Sequence, residues 1–436
     1  MEKEVKIIGA GLAGSEAALQ LAKRGIKVCL YEMRPNKTTG AHTGENFAEF
    51  VCSNSLGSFD ITNASGLLKK EMELLGGELI KIAYNCQVPA GSALAIDREL
   101  FAKTVTEKIQ NNPYITVVRE EINEIPEEEV IIASGPLTSY NLANSIKKFS
   151  ESEHLYFFDA IAPIVEKDSI NFDKAFWASR YDKGEASYIN CPMNKEEYEK
   201  FYNILINAPR IEMKEFEQNA KFFESCLPVE ILASRGVDTL RYGPMKPVGL
   251  VDKRTNKENY AVVQLRQDNS AKTLYNLVGF QTNLKWGSQK ELLQSIPGLE
   301  EVNIVRYGVM HRNTFINSPK LLKPTLQTRK RQNLFFAGQI TGTEGYTESI
   351  ASGLLAGINM ARYINGEELL LLPKETMLGA LTNYISDENH DKFQPINSNW
   401  GIISPIELPK KERKNKKLKA ELLSKKSLET IVGLNN

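Results

Sequence analysis

The 436-residue chain holds only five cysteines and four histidines. The cysteines (Cys29, Cys52, Cys86, Cys191, Cys226) are scattered and form no C-x-x-C pair, which argues against a disulfide framework or a thiolate zinc site. His42, His154, His311 and His390 show no metal-ligand spacing. No apolar run approaches the roughly 18 residues of a membrane span. Neither a G-x-S-x-G elbow nor a P-loop occurs. The formal net charge is zero, which by itself does not suggest a nucleic-acid partner. A strand pattern begins within five residues of Met1, which leaves no room for a secretory leader and points to a reduced, cytoplasmic enzyme. Hydrophobic content of 42% and charged content of 25% are those of an ordinary globular chain, long enough for two or three domains.

What is present is concentrated at the start. Val5, Ile7 and Ile8 read as a buried parallel strand that stops at Gly9-Ala10-Gly11-Leu12-Ala13-Gly14, and a helical pattern follows with Ala17, Ala18, Leu21 and Ala22 on one face. In such a turn Gly9 permits the reversal, Gly11 lets backbone approach a pyrophosphate, and Gly14 lets helix and strand pack closely. The pyrophosphate would sit on the unpaired N–H groups of the helix. Gly25 ends that helix, and a second strand, Ile26 to Tyr31, delivers Glu32 about 20 residues on, where a carboxylate binds a ribose hydroxyl. FAD and NAD share this fingerprint, and these residues alone do not choose between them.

After Glu32, Met33-Arg34-Pro35 leads into a Gly- and Thr-rich loop to His42 and then the Cys52 segment, FAEFVCSNSL. A helical pattern over Ala64 to Leu79 is expected to end near Gly76-Gly77, and Asp97 should cap another helix running from Arg98 to about Gln110. Short β-branched runs follow at Ile115 to Val118 and Val130 to Ala133, the second stopped by Ser134-Gly135-Pro136. Aromatics then become frequent, and residues 176–325 read as an inserted domain between a first part, 1–175, and a second, 326–436. The segment Asn333 to Tyr346 returns to the opening style, with a strand, a glycine turn and a helix from about Glu348. Gln339 stands there where an acid is common, and its amide can bond a ribityl hydroxyl.

Two cysteines keep chemical company. Cys226 is flanked by Glu224 and Glu230, with Arg235, Arg241 and Lys246 following, and nearby cations favour the thiolate a nucleophile needs. Cys52 lies in a polar loop near the dinucleotide motif. Cys29 reads as core.

FAEFVCSNSL, VPAGSALAIDRELF, ASGPLTS, FFDAIAPIV, ASRYDKG, FESCLPVE, RYGPMKPVGL, YAVVQLRQDN, LYNLVGFQTNLKWGSQ, VRYGVMHRNTFINSP, LFFAGQITGTEGYTESIASGLLAGIN and FQPINSNWG resemble, in order and to about Ser398, the folate- and FAD-dependent tRNA (uracil-5-)-methyltransferase family. The resemblance implies an α/β fold, a glutathione-reductase-like FAD-binding Rossmann domain interrupted by an insertion domain. It implies methylation of C5 of a T-loop uridine in tRNA, with 5,10-methylenetetrahydrofolate as carbon donor, reduced FAD as carrier and NADH or NADPH as reductant. Its two motif cysteines fall on Cys226, the nucleophile that adds to C6 of uracil, and Cys52, with a flavin-side acid/base or support role. The cofactor set is Gly9, Ala10, Gly11, Leu12, Ala13, Gly14, Glu32, Arg34, Gly338, Gln339, Gly342 and Thr343. Arg241 and Lys246 are candidates for the oxyanion of the base unless they pair with Glu224 or Glu230, and Trp286, Tyr307 and Tyr346 are candidates to stack on folate or base, the alternative being a place in the core. The alternatives are the same chemistry on a uridine of 23S ribosomal RNA, a flavin-bearing RNA-binding protein without catalysis, and a flavin oxidoreductase with a small substrate. Ser225, Gly57 and Ser92 depart from the family's usual residues.

The basic run from Lys410 to Lys426, and a second cluster at Lys320, Lys323, Arg329, Lys330 and Arg331, are either solvated surface or phosphate contacts. Truncation after Leu408 should therefore lower RNA affinity and flatten its salt dependence, measured by filter binding across a salt series.

Overall fold

The computed structural model describes residues 4–39, 41–152, 155–182, 185–211, 227–255, 259–390, 392–409, 412 and 415–434. Strand Glu4–Ile8 is central in a five-stranded parallel sheet, between Lys27–Tyr31 and Val130–Ile132, with Ile115–Val118 and Leu334–Phe336 at the edges. Val5, Ile7, Val28, Leu30, Ile131 and Phe335 are fully buried, as strands covered on both faces require. The sheet thus takes strands from both ends of the chain.

The intervening residues build a second, six-stranded sheet in the order 176–178, 188–193, 261–267, 274–277, 164–166, 304–306. Its pairings are all antiparallel. Its core joins Val263, Leu265, Tyr275 and Leu277 to Tyr198, Phe201 and Leu205 of helix Lys195–Asn207. An antiparallel ribbon, Leu155–Ala160 with Met310–Phe315, carries the chain out and back. Both expected borders therefore move. The second sheet already includes Ile164–Glu166 and ends at Arg306, while Ile316, Leu321 and Leu322 pack on Ile8 and Val130 of the first. The rise in aromatics marks the interior of the second unit and misses its hydrogen-bonded margin.

Helix Leu12–Lys23 follows the glycine turn, and Asp97 caps Arg98–Gln110 by accepting from the Leu100 N–H at 3.0 Å. The helix expected to end near Gly76-Gly77 spans Ala64–Leu74, and a second, Leu79–Asn85, follows. The first closes through Gly76, at φ +82°, and Gly77, whose N–H donates to Met72 O at 2.8 Å. The buried Glu16 carboxylate takes the Glu78 and Leu79 N–H groups, which starts a new helix there.

Part of the basic run is not loose surface. Lys416–Leu434 forms a helix with Ala420, Leu423, Ser424, Ser427 and Ile431 buried and Lys416, Lys417, Lys425 and Lys426 exposed. Ser424 Oγ donates to Ile61 O at 2.6 Å, and Ser427 Oγ donates to Glu71, whose carboxylate also accepts the Met377 and Leu378 N–H groups at 2.6 and 2.8 Å. Burial pushes Glu71 from the usual 4.5 up to about 7, against these hydrogen bonds. A raised carboxyl pKa means the folded chain keeps a proton that the unfolded chain has released. Its stabilising contribution is complete below about pH 4.5 and is lost as pH rises through about 7. Urea titrations should show stability falling across that window and a flatter slope in Glu71→Gln. Ser427→Ala should cost about 1–2 kcal/mol by leaving a buried acceptor short of a donor.

Candidate functional site

The glycine turn is built from backbone constraints. Gly9 has φ +98°, and a Cβ there would lie 2.6 Å from Ala133 O. A Cβ on Gly14 would lie 1.8 Å from Gly9 O. At Gly11 a Cβ would meet nothing within 4 Å, because this residue faces open space at the helix N-terminus. That space is a cavity of about 660 Å³, running past Gly9, Gly11, Leu12 and Ala13. Glu32 and Arg34 line it too, as do Ser134, Gly338, Gln339 and Cys52.

Glu32 is buried and holds the turn together. Its Oε2 accepts the Ala10 N–H at 3.1 Å, and Oε1 accepts the Arg34 N–H at 3.1 Å and Nε at 3.2 Å. Arg34 Nη1 reaches Glu49 Oε2 at 2.8 Å. Gln339 Nε2 donates to Glu344 at 2.6 Å on the wall of the cavity. Four residues of the expected set stand behind the wall. The Ala10 N–H is spent on Glu32, Gly14 packs against Gly9, Gly342 lies under the Phe393 ring, and the Thr343 hydroxyl donates to Gly338 O.

The cavity suits a dinucleotide. It joins unpaired helix N–H groups, a carboxylate at the end of the second strand, and a glycine cradle that a side chain would fill. In its wall the buried Asn313 amide has neither polar atom partnered, a residue no local pattern in the sequence singled out.

Further along the cavity, Cys52 meets Tyr346, the first residue of helix Tyr346–Asn365. Tyr346 Oη accepts the Cys52 N–H at 2.8 Å and lies 2.9 Å from Sγ, where either atom can donate. Burial, then the neighbouring Cys52, raises the Tyr346 hydroxyl well above the usual 10, so it is neutral and keeps a proton to offer the sulfur. The Phe50 ring, 4.4 Å away, closes one side. The sequence suggested Tyr346 for stacking, not for this bond. Cys29, Cys86 and Cys191 are buried, and burial raises each thiol.

Cys226, with Glu224 and Ser225, lies outside the described residues. The chain just after it is anchored to the second unit. Val229 N–H donates to Gln281 O at 2.7 Å, and Glu230 accepts from Thr282 Oγ1 and Asn283 N at 2.9 and 2.8 Å. Arg241 pairs with Asp238 at 2.6 Å and stacks on Tyr260. Trp286, 60% exposed, stacks on Tyr307 at 5.4 Å. Neighbouring Arg306 donates to Ala41 O, beside His42 of the cavity. Gly57, one of the departures, has φ +77° and no room for a Cβ, which would lie 2.7 Å from Ser65 Oγ. Among the described residues no group of three His, Cys, Asp or Glu could hold a metal, and no helix is long and apolar enough to cross a membrane.

Comparison with solved structures agrees with the fold. Two crystal forms of Aquifex aeolicus GidA superpose with TM-scores of 0.69 and 0.67 at 18% identity, covering 99% and 100% of this chain and 76% and 78% of those chains. Residues 4–368 match the family model described as glucose inhibited division protein A. Fold and cavity thus define an α/β protein of the FAD-binding Rossmann class. At closer range, the methylenetetrahydrofolate–tRNA-(uracil-5-)-methyltransferase TrmFO of Anoxybacillus flavithermus is 58% identical over 428 residues, 98% of each chain. That of Bacillus cytotoxicus is 58% identical over 432 residues, 99% of each. The chain belongs to this methylenetetrahydrofolate–tRNA-(uracil-5-)-methyltransferase family.

Gly11→Ala should leave the fold intact, because its Cβ meets no protein atom, yet push into the cradle. FAD binding should weaken by roughly ten- to a hundredfold, the loss of one or two charge-assisted hydrogen bonds. Flavin absorbance per protein and the melting temperature of the apoprotein together check this.

Proposed function

We propose that this protein is a tRNA (uracil-5-)-methyltransferase that makes 5-methyluridine in the T loop, drawing its carbon from 5,10-methylenetetrahydrofolate. The observation that carries the reading is the Cys52–Tyr346 pair, set in the same cavity as the Gly9–Gly14 turn, in a chain 58% identical to its relatives over nearly its whole length. FAD, when bound, supplies a redox-active carrier for the carbon, and NADH or NADPH supplies the electrons.

Each residue has a defined task in this reading. The N-terminus of helix Leu12–Lys23 binds the pyrophosphate, with Glu32 on the ribose. Gly338 and Gln339 line the path from there toward Cys52. The Tyr346 hydroxyl, neutral because it is buried, donates to the Cys52 sulfur and stabilises it whenever it loses its proton to the reacting group. Cys226 adds to C6 of uracil, because C5 is a poor nucleophile until addition at C6 creates an enolate. The target base must leave its stack, at a cost of a few kcal/mol. The Trp286–Tyr307 stack, with exposed Lys285 next in the chain and exposed Arg210 bridged to Leu284, offers a platform for an unpaired base of the loop.

The test is a methylation assay with purified protein, FAD, methylenetetrahydrofolate, NADPH and unmodified tRNA, read by mass spectrometry of nucleosides. 5-Methyluridine should appear in the T loop and require both folate and nicotinamide. NADPH oxidation indifferent to folate and RNA would instead mark a small-substrate oxidoreductase. RNA carrying 5-fluorouracil should trap a covalent adduct with the wild type and none with Cys226→Ala. An adduct surviving that substitution removes Cys226 from the role of nucleophile. Trp286→Ala should weaken tRNA binding by roughly tenfold, within the worth of one base–aromatic stack.

A further inference from the structure

The loop that carries Cys52 is gripped from two sides by buried polar groups that the chemistry above does not use. From its own unit, Arg98 donates Nη1 to Phe50 O at 3.1 Å and Nη2 to Cys52 O at 2.8 Å. The same guanidinium turns its Nε to Asp268 Oδ1 at 3.0 Å, and Asp268 follows strand Ala261–Gln267 of the second sheet. Two residues past the cysteine, Asn54 is fully buried and uses its whole amide. Nδ2 donates to Ile96 O and Gln267 O, both at 2.9 Å, and Oδ1 accepts from Arg266 Nε at 2.9 Å and Asn276 Nδ2 at 3.2 Å. Arg266 also donates to Ser53 Oγ at 2.7 Å, and Asn276 closes the ring with a bond to Asp268 at 2.9 Å. Cys52 thus has partners of the second sheet bound to the carbonyl grip on one side and to Ser53 and Asn54 on the other.

A buried ion pair is a poor device for stability, since apolar side chains of the same volume serve as well or better. A fully satisfied buried network does something apolar packing does not: it admits one register. The register matters here because the chain following Cys226 is anchored to the second unit through Val229 and Glu230, whereas Cys52 faces the cavity of the first.

We propose that Arg98 and Asn54, with Asp268 and Arg266 opposite them, are positioning residues that register the second sheet against the Cys52 loop and so set the Cys226-bearing unit relative to the flavin. The inference rests on the methyltransferase reading and on Cys52 acting beside the flavin.

Arg98→Lys keeps the charge but loses the fork, and Asp268→Asn keeps an acceptor but loses the charge. If either fails to fold, the other carries the test. Methyl transfer kcat should fall roughly 10- to 100-fold, the cost of about 1 Å of misplacement. FAD content should be unchanged, and KM for tRNA should stay within about twofold. Iodoacetamide should alkylate Cys52 several-fold faster in the loosened loop, while the 5-fluorouracil adduct, which needs only Cys226, should form as in the wild type. A kcat within about twofold of wild type overturns the proposal, and so does a loss that FAD content and KM share in proportion. Wild-type protein that makes no 5-methyluridine overturns the methyltransferase reading instead. In that case Cys52 alkylation judges the lock alone, and an unchanged rate in both variants removes it.

Discussion

The approach of helix Leu12–Lys23 to helix Tyr346–Asn365 is the contact on which the rest of the molecule depends. A Cβ on Gly353 would lie 2.2 Å from Ala13 O, and one on Gly357 would lie 2.9 Å from Ala17 O. With glycine at both places the two backbones touch, and elements from opposite ends of the chain deliver their N-termini to one cavity. One presents the open cradle at Gly11, and the other begins at the tyrosine that meets Cys52.

Charge is used with the same economy. The formal net charge is zero, yet among the described residues Glu16, Glu71 and Glu230 are fully buried, and the first two each sit at the N-terminus of a helix from elsewhere in the chain. Glu16 starts Leu79–Asn85 and Glu71 starts Met377–Ile385, and burial raises both pKa values. A carboxylate in that place satisfies orphan N–H groups and meets the positive end of the helix dipole. Glu71 also ties down the C-terminal helix, which leaves part of the basic run as an ordered, lysine-bearing surface.

Much of the frame was legible in advance because its signals are local. The glycine turn, the Asp97 cap, Gly25 at the end of a helix and the short β-branched strands each depend on residues a few positions apart. The misreadings share a cause as well. Helix Leu79–Asn85 starts where it does because a carboxylate from Glu16 takes its first N–H groups, and Ile164–Glu166 joins the second sheet because of Leu274–Asn276. Gly342 and Thr343, expected at the cofactor, are held by packing against Phe393 and by a hydrogen bond to Gly338 O, neither of which is written in their neighbours.

The sequence by itself determined the class of fold, the glycine turn with Glu32, and the identity of the cysteines worth watching, because spacing and backbone constraint are written in neighbouring residues. Only the tertiary structure decided what Cys52 touches and what holds it. Tyr346 is 294 residues away, Arg266 and Asn276 come from strands of the second sheet, and Asp268 from the turn between them. Those meetings follow from how two helices and two sheets pack, and buried polar groups must then find partners wherever the packing has put them.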